Sequence, residues 1–422
     1  MGTGTLAFII FAFVVAQVAV LMGIGIFRRK RKYRDLESLT RESQVVGTAK
    51  EFAATKSAWD GFREFLVKRR VIEDDARSVC SFYLAPVDGQ PLPVFKPGQF
   101  LTFRLQLEDP VRHEPKSVVR CYSLSDRPNP DYYRVSIKRA PPPVEPPDVP
   151  AGLSSNFFHD RVQEGARLMV KAPSGHFHLM TDEPLPIVLV CGGIGITPML
   201  SILNTVMSGG TSREVWLYYG VRNGAEHILR EHLESLRKAH PNFHLHVCYS
   251  DPVEGDVEGV DYHYRGRIDL QLLRSTLKLM HYQFYVCGPR QMMETLVPAL
   301  AEWGVATDDI HYESFGPASL IKHENLRRQV TKKETAAQDF TITFSKSGKS
   351  IRWDPSADSL LEFAESNGIE VESGCRAGSC GSCQTGLAAG EVDYHQEPDA
   401  DVDSGHCLLC ITTPKSDLTL VA

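Results

Sequence analysis

Of the ten cysteines in this 422-residue chain, five crowd toward its C-terminal end, at 375, 380, 383, 407 and 410. The first three lie in "CRAGSCGSCQTG", spaced C-x4-C-x2-C with glycine and serine between them. Thiolates stabilise ferric iron, and such small residues leave backbone N–H groups free to point at sulfur. Cys375, Cys380 and Cys383, with a fourth thiolate further along the chain, have the ligand spacing of a [2Fe–2S] cluster. Cys407 and Cys410 both stand as candidates for that fourth ligand. Structural zinc held by four cysteines usually comes as two C-x2-C pairs, and only one close pair here fits a cluster loop. The other cysteines, Cys80, Cys121, Cys191, Cys248 and Cys287, stand singly among apolar or strand-like residues and read as small buried hydrophobes. This is not the spread of a secreted disulfide framework. It indicates a metal site in a reducing compartment.

A second chemistry is written in glycine. "CGGIGITPML", 191–200, follows an apolar run and opens a helical stretch. Glycines there let a backbone approach a pyrophosphate, and the N–H groups of a helix start can bind it. Thr197 and Pro198 suit the first positions of that helix. "YVCGPRQMM", 285–293, ends another apolar run in a Gly–Pro turn, and doubly wound sheets bind ligands at the ends of their parallel strands. In "RCYSLSDRP", 120–128, Arg120 can grip a phosphate, Tyr122 can lie along an aromatic ring system, and Ser123 can bond a ring nitrogen. "GLSSNFFHD", 152–160, is a small-residue turn into a helix, again apt for phosphate. Taken singly, each of these is also what an ordinary strand end or helix cap looks like.

The elements that must position these groups follow from periodicity. "SVCSFYLAP", "QFLTFRLQL" and "YYRVSIKRA" alternate at period two between Pro- and Gly-rich turns, which predicts an antiparallel barrel. "APPPVEPPDVPAG", 140–152, can be neither helix nor central strand and reads as an extended surface loop. From 186, "PIVLVCGG", "EVWLYYGVR", "FHLHVCYS" and "QFYVCGP" are apolar strands followed by helical stretches, the rhythm of a parallel sheet covered by helices. His244 and His246 alternate on one of these strands and read as ordinary surface or core residues. After a polar stretch, "FTITFSKSGKSIRW" reads as a β-hairpin and "SADSLLEFAESNG" as a short helix capped by Ser356 and stopped at Gly368. At the other end, residues 5–27 carry no charge. As a helix they would reach about 34 Å, enough to cross a bilayer. "RRKRKYR" follows, which places the rest on the cytoplasmic side and offers a contact with anionic lipid headgroups. The formal charge is −6, and no basic stripe with interleaved aromatics is present, so nucleic acid is excluded as a partner.

The order R-x-Y-S, G-x-x-S, "PSGHF" (173–177), G-G-I-G-I-T-P, C-G-P and E-S-F resembles the ferredoxin–NADP reductase superfamily. It is similar in particular to the NADH-dependent reductases of oxygenases and the reductase half of flavohaemoglobins. The resemblance covers roughly 68–316. It implies a flavin held by Arg120, Tyr122, Ser123, Lys138 and the turn at Gly152, Ser155 and Asn156. It implies a nicotinamide dinucleotide on Gly192, Gly193, Gly195, Thr197 and Pro198 and on the Cys287–Gly288–Pro289 turn. Cys287 would then lie near the reactive nicotinamide carbon and Ser123 near flavin N5, with Glu313 and Phe315 reaching back toward the flavin. These make Ser123, Cys287 and Glu313 the catalytic candidates, and "PSGHF" favours FAD over FMN. The proline-rich insert departs from the family's shorter loop. "CITTPKSDLTLVA" resembles the tail of plant-type ferredoxin domains, which implies Cys410 as the fourth ligand and a β-grasp fold. Asp251, after the strand "HVCYS", suits a ribose hydroxyl and repels a 2′-phosphate, so NADH is the expected donor.

The expected chain is multidomain. It has a transmembrane helix at 1–27, a juxtamembrane tether at 28–67 and an antiparallel β-barrel FAD domain at 68–180. An α/β parallel-sheet NAD domain at 181–316, a linker at 317–337 and a C-terminal β-grasp ferredoxin domain at 338–422 complete it. The expected function is NADH-dependent electron transfer through FAD and [2Fe–2S] to an acceptor, because flavin takes two electrons and releases them singly. A redox sensor is the competing class, but it would not need a complete hydride-transfer site. The chain carries no oxygenase iron motif of its own. The acceptor is therefore expected to be a membrane-associated oxygenase, hydroxylase or desaturase, or a quinone, with the chain a single-pass protein of the cell membrane. Residues 338–422 hold 14 Asp and Glu against 5 Lys and Arg, which suits a basic docking face.

Overall fold

The computed structural model describes residues 58–108, 114–142, 151–181, 185–210, 212–315, 340–398 and 400–422, all within one compact unit. The span expected at 5–27, its basic flank, most of the tether, the centre of the proline-rich insert and the linker lie outside the described residues. Among the described residues no helix is long and apolar enough to cross a membrane.

Six antiparallel strands come first: β1 (Arg63–Ile72), β2 (Val79–Pro86), β3 (Phe100–Glu108), β4 (Pro115–Ser123), β5 (Tyr133–Lys138) and β6 (Arg167–Ser174). Their order is β4-β3-β6-β1-β2-β5, and a bridge from Leu124 to Val135 brings the two outer strands together into a barrel. The first strand starts at Arg63, upstream of the boundary expected at 68. Alternation at the end of β3 sends Leu105 and Leu107 inward and Arg104, Gln106 and Glu108 outward. Helix α1 (Leu153–Arg161) inserts Phe158 edge-on between Phe82 and Phe103, so the turn at Gly152 is fastened to the barrel core.

The second layer is a sheet of β7 (Ile187–Gly192), β8 (Val215–Val221), β9 (Phe243–Tyr249), β10 (Tyr264–Arg265), β11 (Gln283–Gly288) and β12 (Ile310–Ser314). All pairs are parallel and the order is β10-β9-β8-β7-β11-β12. Every residue of β7 and β11 is buried, as strands covered on both faces must be. Helices α2 (Ile196–Ser208), α3 (Arg230–Ala239), α4 (Leu270–Thr276) and α5 (Arg290–Glu302) are interleaved with them. The strand order reverses between β7 and β11, so both glycine-containing turns leave the sheet at its switch point. His244 and His246 stack on Trp216, as packing residues do.

The C-terminal module pairs β13 (Thr341–Phe344) with β14 (Lys349–Arg352) as the expected hairpin. With β15 (Gln384–Ala389), β17 (His406–Leu408) and β19 (Leu418–Leu420) it forms a sheet of order β14-β13-β19-β15-β17, in which β13 and β19 run parallel. Strands β16 (Val392–Tyr394) and β18 (Thr412–Pro414) form a separate ribbon. Helix α6 (Leu360–Ser366) is capped by Ser359, whose Oγ accepts from Glu362 N–H at 3.2 Å, and not by the expected Ser356. The N–H of Ser356 instead donates to the Asp354 carboxylate at 2.8 Å, which ties it into the preceding turn. Gly368, at φ 67, ends the segment as expected.

Candidate functional site

A cleft of about 1150 Å³ is shared by the three layers. Arg120, Tyr122, Ser123 and Lys138 line it from the barrel, Thr197, Glu313 and Phe315 from the parallel sheet, and Gly374 and Cys375 from the C-terminal module. Strand β4 carries the first three because its end lies beside β3, with Leu101 opposite Tyr122 and Phe100 opposite Ser123. The Tyr122 ring packs edge-on against Phe103 and Phe158, and burial pushes its phenol up. Arg120 is exposed and gives one donor to the Val119 carbonyl at 2.7 Å. Lys138 reaches Glu226 at 2.8 Å, and Arg222 pairs with the same carboxylate. Burial acts to raise Glu226, but hydrogen bonds from Lys138 and Arg222 hold it below its ordinary value.

The three catalytic candidates meet at one place. Glu313 on β12 lies opposite Cys287 on β11 in register, and its carboxyl faces the Ser123 hydroxyl. Ser123 Oγ and Glu313 Oε2 are sealed from solvent, and neither closes a hydrogen bond of normal length. Burial pushes Glu313 up to about 8, with the Ser123 hydroxyl pulling the other way. Burial, then the Glu313 carboxylate, keeps the Cys287 thiol well above its usual range. Cys287 is wholly buried and does not line the cleft. Two sealed polar atoms facing a cleft of this size are what a flavin ring edge would satisfy, so the residues fit the group.

At the glycine turn, α2 begins at Ile196 with no side-chain cap, and Ile196 N–H is taken by the carbonyls of the tight turn Gly193–Gly195 that leads into the helix. The glycines have two different reasons. A Cβ on Gly195 would lie 2.2 Å from the Cys287 carbonyl oxygen, so this glycine is needed for the helix start to sit on the C-G-P turn. Gly193, at φ 52, has open space where its Cβ would be, which is the arrangement that admits a ligand. Gly192, Gly193, Gly195, Pro198, Gly288 and Pro289 sit around this turn but outside the cleft lining. Gly152, Ser155 and Asn156, at the start of α1, also lie outside the cleft lining, and the two polar side chains are engaged locally: Asn156 Nδ2 donates to the Ala140 carbonyl at 3.0 Å, and Ser155 Oγ accepts from Ala140 N–H at 3.2 Å. Asp251 is exposed beyond β9, and its N–H donates to the Arg222 carbonyl.

In the cysteine loop, Cys375 Sγ accepts from the N–H groups of Ala377 (3.4 Å), Ser379 (3.3 Å) and Cys380 (3.2 Å), and Cys380 Sγ accepts from Cys375 N–H (3.3 Å). Cys383 Sγ lies 3.1 Å from Cys410 Sγ, whereas Cys407 is buried on β17, paired with Thr385. Hydrogen bonds from Cys121 and Cys375 hold Cys380 well below its ordinary thiol value, and Cys410 does the same for Cys383. The same bonds push Cys375 and Cys410 up. Among the described residues no three such donors converge on a single metal ion. The four sulfurs come instead as two pairs, which suits a two-iron cluster held by four thiolates. Arg376, at φ 56, is kept in its left-handed conformation by a hydrogen bond to Glu365 at 2.9 Å.

Two residues at this site escaped the sequence reading. Cys121 reads as a lone buried thiol, yet its Sγ lies beside that of Cys380 at Gly374. Lys171 on β6 donates to the Cys380 carbonyl at 2.9 Å. Neither carries a local signal, because the partner is more than two hundred residues away in the chain.

Residues 189–297 match the oxidoreductase NAD-binding domain, and 342–415 match the 2Fe-2S iron-sulfur cluster binding domain. The second span contains Cys375, Cys380, Cys383 and Cys410. A flavohemoprotein of Bacillus cereus is 38% identical over 272 residues, which is 64% of this chain and 65% of that relative. The chain therefore spans just under two thirds of the curated relatives it matches. Among solved structures, the FAD/NAD-binding domain of a nitric oxide dioxygenase from Vibrio cholerae aligns at TM-score 0.52 and 30% identity, covering 61% of this chain and all of that one. Phthalate dioxygenase reductase, a modular structure for electron transfer from pyridine nucleotides to [2Fe–2S], aligns at TM-score 0.51 and 26% identity over 86% of this chain and 98% of its own. One expectation is corrected here. The flavohemoprotein likeness gives no support to a single-pass membrane protein, and no described helix supplies a span. Apolar length and a basic flank state what could enter a bilayer, not where the folded chain resides.

Proposed function

We propose that this chain, a ferredoxin-reductase-like FAD/NAD-binding module with a C-terminal 2Fe-2S ferredoxin domain, delivers electrons from NADH to an oxygenase-type protein acceptor. The observation that carries the reading is the continuous cleft, in which Ser123 and Glu313 share one lining with Cys375 of the cluster loop. A donor at the nucleotide turn, a flavin in the cleft and a cluster at its far wall would need no domain movement to be in sequence. FAD, when bound, supplies the conversion of a two-electron donor to single-electron delivery.

The chain's own residues do the rest. Tyr122 and the aromatic cluster behind it give the ring system an apolar wall, and Arg120 and Lys138 supply positive charge at the rim. Glu313 holds a proton at its carboxyl near neutral pH, and the Ser123 hydroxyl can pass it toward the ring edge without opening the site to water. The buried, neutral Cys287 beneath Gly195 fixes the floor against which a nicotinamide would lie. Around the cluster loop, Gln396 donates to the Ala377 carbonyl at 2.8 Å and Ala400 N–H to the Gly378 carbonyl at 3.1 Å. These bonds lay an acidic segment with exposed Glu391, Asp393, Glu397, Asp401 and Asp403 alongside the cluster ligands, and it would steer a basic acceptor face.

The test is anaerobic addition of NADH to the chain loaded with FAD and iron. Flavin absorbance should bleach and the electron paramagnetic signal of a reduced cluster should follow. Cytochrome c, a basic protein, serves as probe acceptor, and its reduction should fall steeply with ionic strength. Bleaching without cluster reduction would defeat the proposed sequence. Delivery to a soluble quinone in preference to any protein acceptor would defeat the acceptor assignment.

A further inference from the structure

We propose that Cys121, on the flavin-side strand β4, is a positioning residue that donates its thiol proton to the sulfur of Cys380 and so raises the reduction potential of the cluster. The inference rests on the reading that Cys380 is a cluster ligand. The Cys121 and Cys380 sulfurs are close neighbours across the two modules. Their closeness has a visible cause in Gly374, whose Cβ, if it had one, would lie 2.9 Å from Cys380 Sγ and 3.3 Å from Cys121 Sγ. Only glycine lets the strand sulfur reach the loop sulfur.

The direction of the bond follows from proton availability. A ligand thiolate has no proton to give and can only accept, so the thiol of Cys121 is the donor. Behind it, Thr102 Oγ1 lies 3.4 Å from Cys121 Sγ. Thr102 and Cys121 are register partners on β3 and β4, and Thr102 is wholly buried, so the sheet itself sets this contact. The chain of donors runs from the Thr102 hydroxyl to Cys121 to Cys380. Lys171 on β6 grips the same ligand by its carbonyl, so three barrel strands converge on one cysteine of the neighbouring module. Reduction adds one negative charge to a cluster, and each hydrogen bond to its sulfurs favours the more negative form. The barrel would thus bias the electron toward the cluster only when the two modules are docked.

The experiment uses the full chain loaded with FAD and iron, and reads the cluster midpoint by redox titration with electron paramagnetic detection. Cys121→Ala should lower the ratio of reduced to oxidised cluster at a fixed potential about tenfold, which is about 59 mV for a one-electron couple. Cys121→Ser, which keeps a donor, should hold or raise the unmodified value. Thr102→Val should move it in the same direction as Cys121→Ala by a smaller amount. A packing role alone would not separate Ser from Ala in this order. An unmoved potential in Cys121→Ala with full iron content overturns the inference, as does a Ser variant as low as Ala. Should Cys121→Ala fail to hold iron, Thr102→Val decides, a fall supporting the inference and an unmoved value overturning it. Absence of iron from the unmodified chain would overturn the cluster reading along with the inference, whereas an unmoved potential leaves that reading standing.

Discussion

Replacing Glu313 by Gln should remove one titration and the pH dependence of stability that goes with it. Burial raises this carboxyl from 4.5 to about 8, against the opposing pull of the Ser123 hydroxyl. A folded-state value above the unfolded one means that the folded chain holds the extra proton between the two. Its stabilisation is therefore complete below about 4.5 and is lost as the pH rises through about 8. At roughly 1.36 kcal/mol per pH unit, that gap is on the order of 5 kcal/mol. The side chain as a whole is only half-buried, so this is an upper bound. Gln is close in shape to the protonated acid and keeps a group facing Ser123, so the variant should fold. The assay is the infrared carbonyl band of a protonated carboxyl in flavin-free protein, titrated from about pH 6 to about pH 9. The unmodified chain should lose a band near pH 8 that Glu313→Gln never shows. The thermal midpoint of the unmodified chain should also fall, relative to the variant, between about pH 5 and about pH 9. Identical band titrations, or parallel midpoints across that range, would refute the argument that the carboxyl is held neutral by desolvation.

Three further outcomes follow from the same geometry. Gly195→Ala sets a Cβ 2.2 Å from the Cys287 carbonyl, backbone against backbone. It should cost about 1–3 kcal/mol of stability by overpacking, and it should slow flavin reduction by NADH in stopped-flow measurement. Cys410→Ser should abolish iron binding while Cys407→Ser retains it, since only the former faces Cys383; metal analysis of the two purified variants decides. Asp251→Arg should raise activity with NADPH relative to NADH, because Arg222 is already paired with Glu226 and the substitution would replace an exposed negative charge with a positive one that attracts a 2′-phosphate; equal use of both by the unmodified chain would defeat this.

The features legible in the amino-acid order are local ones. The C-x4-C-x2-C loop, the period-two strands of the barrel, the apolar runs within β7 and β11 and the two glycine turns are each legible because their signal fits within one element and its neighbours. The Ser356 cap failed on the same scale, because Asp354 ties Ser356 into the preceding turn and the Oγ of Ser359, three residues on, is the one that meets Glu362 N–H. Spacing left Cys407 and Cys410 both open, and only the resemblance of the tail pointed to Cys410. The fold shows why, with Cys407 turned into the core on β17 and Cys410, in the turn after it, facing Cys383. Tertiary structure alone decided why Gly195 is glycine, a requirement set by the carbonyl of Cys287 on another strand. The neutral Glu313 is likewise invisible in sequence, because desolvation is a property of everything packed around a group. Cys121 is the clearest case. Its own neighbours describe a buried hydrophobe, and only the docking of the cluster loop onto β4 brings that thiol beside the sulfur of Cys380.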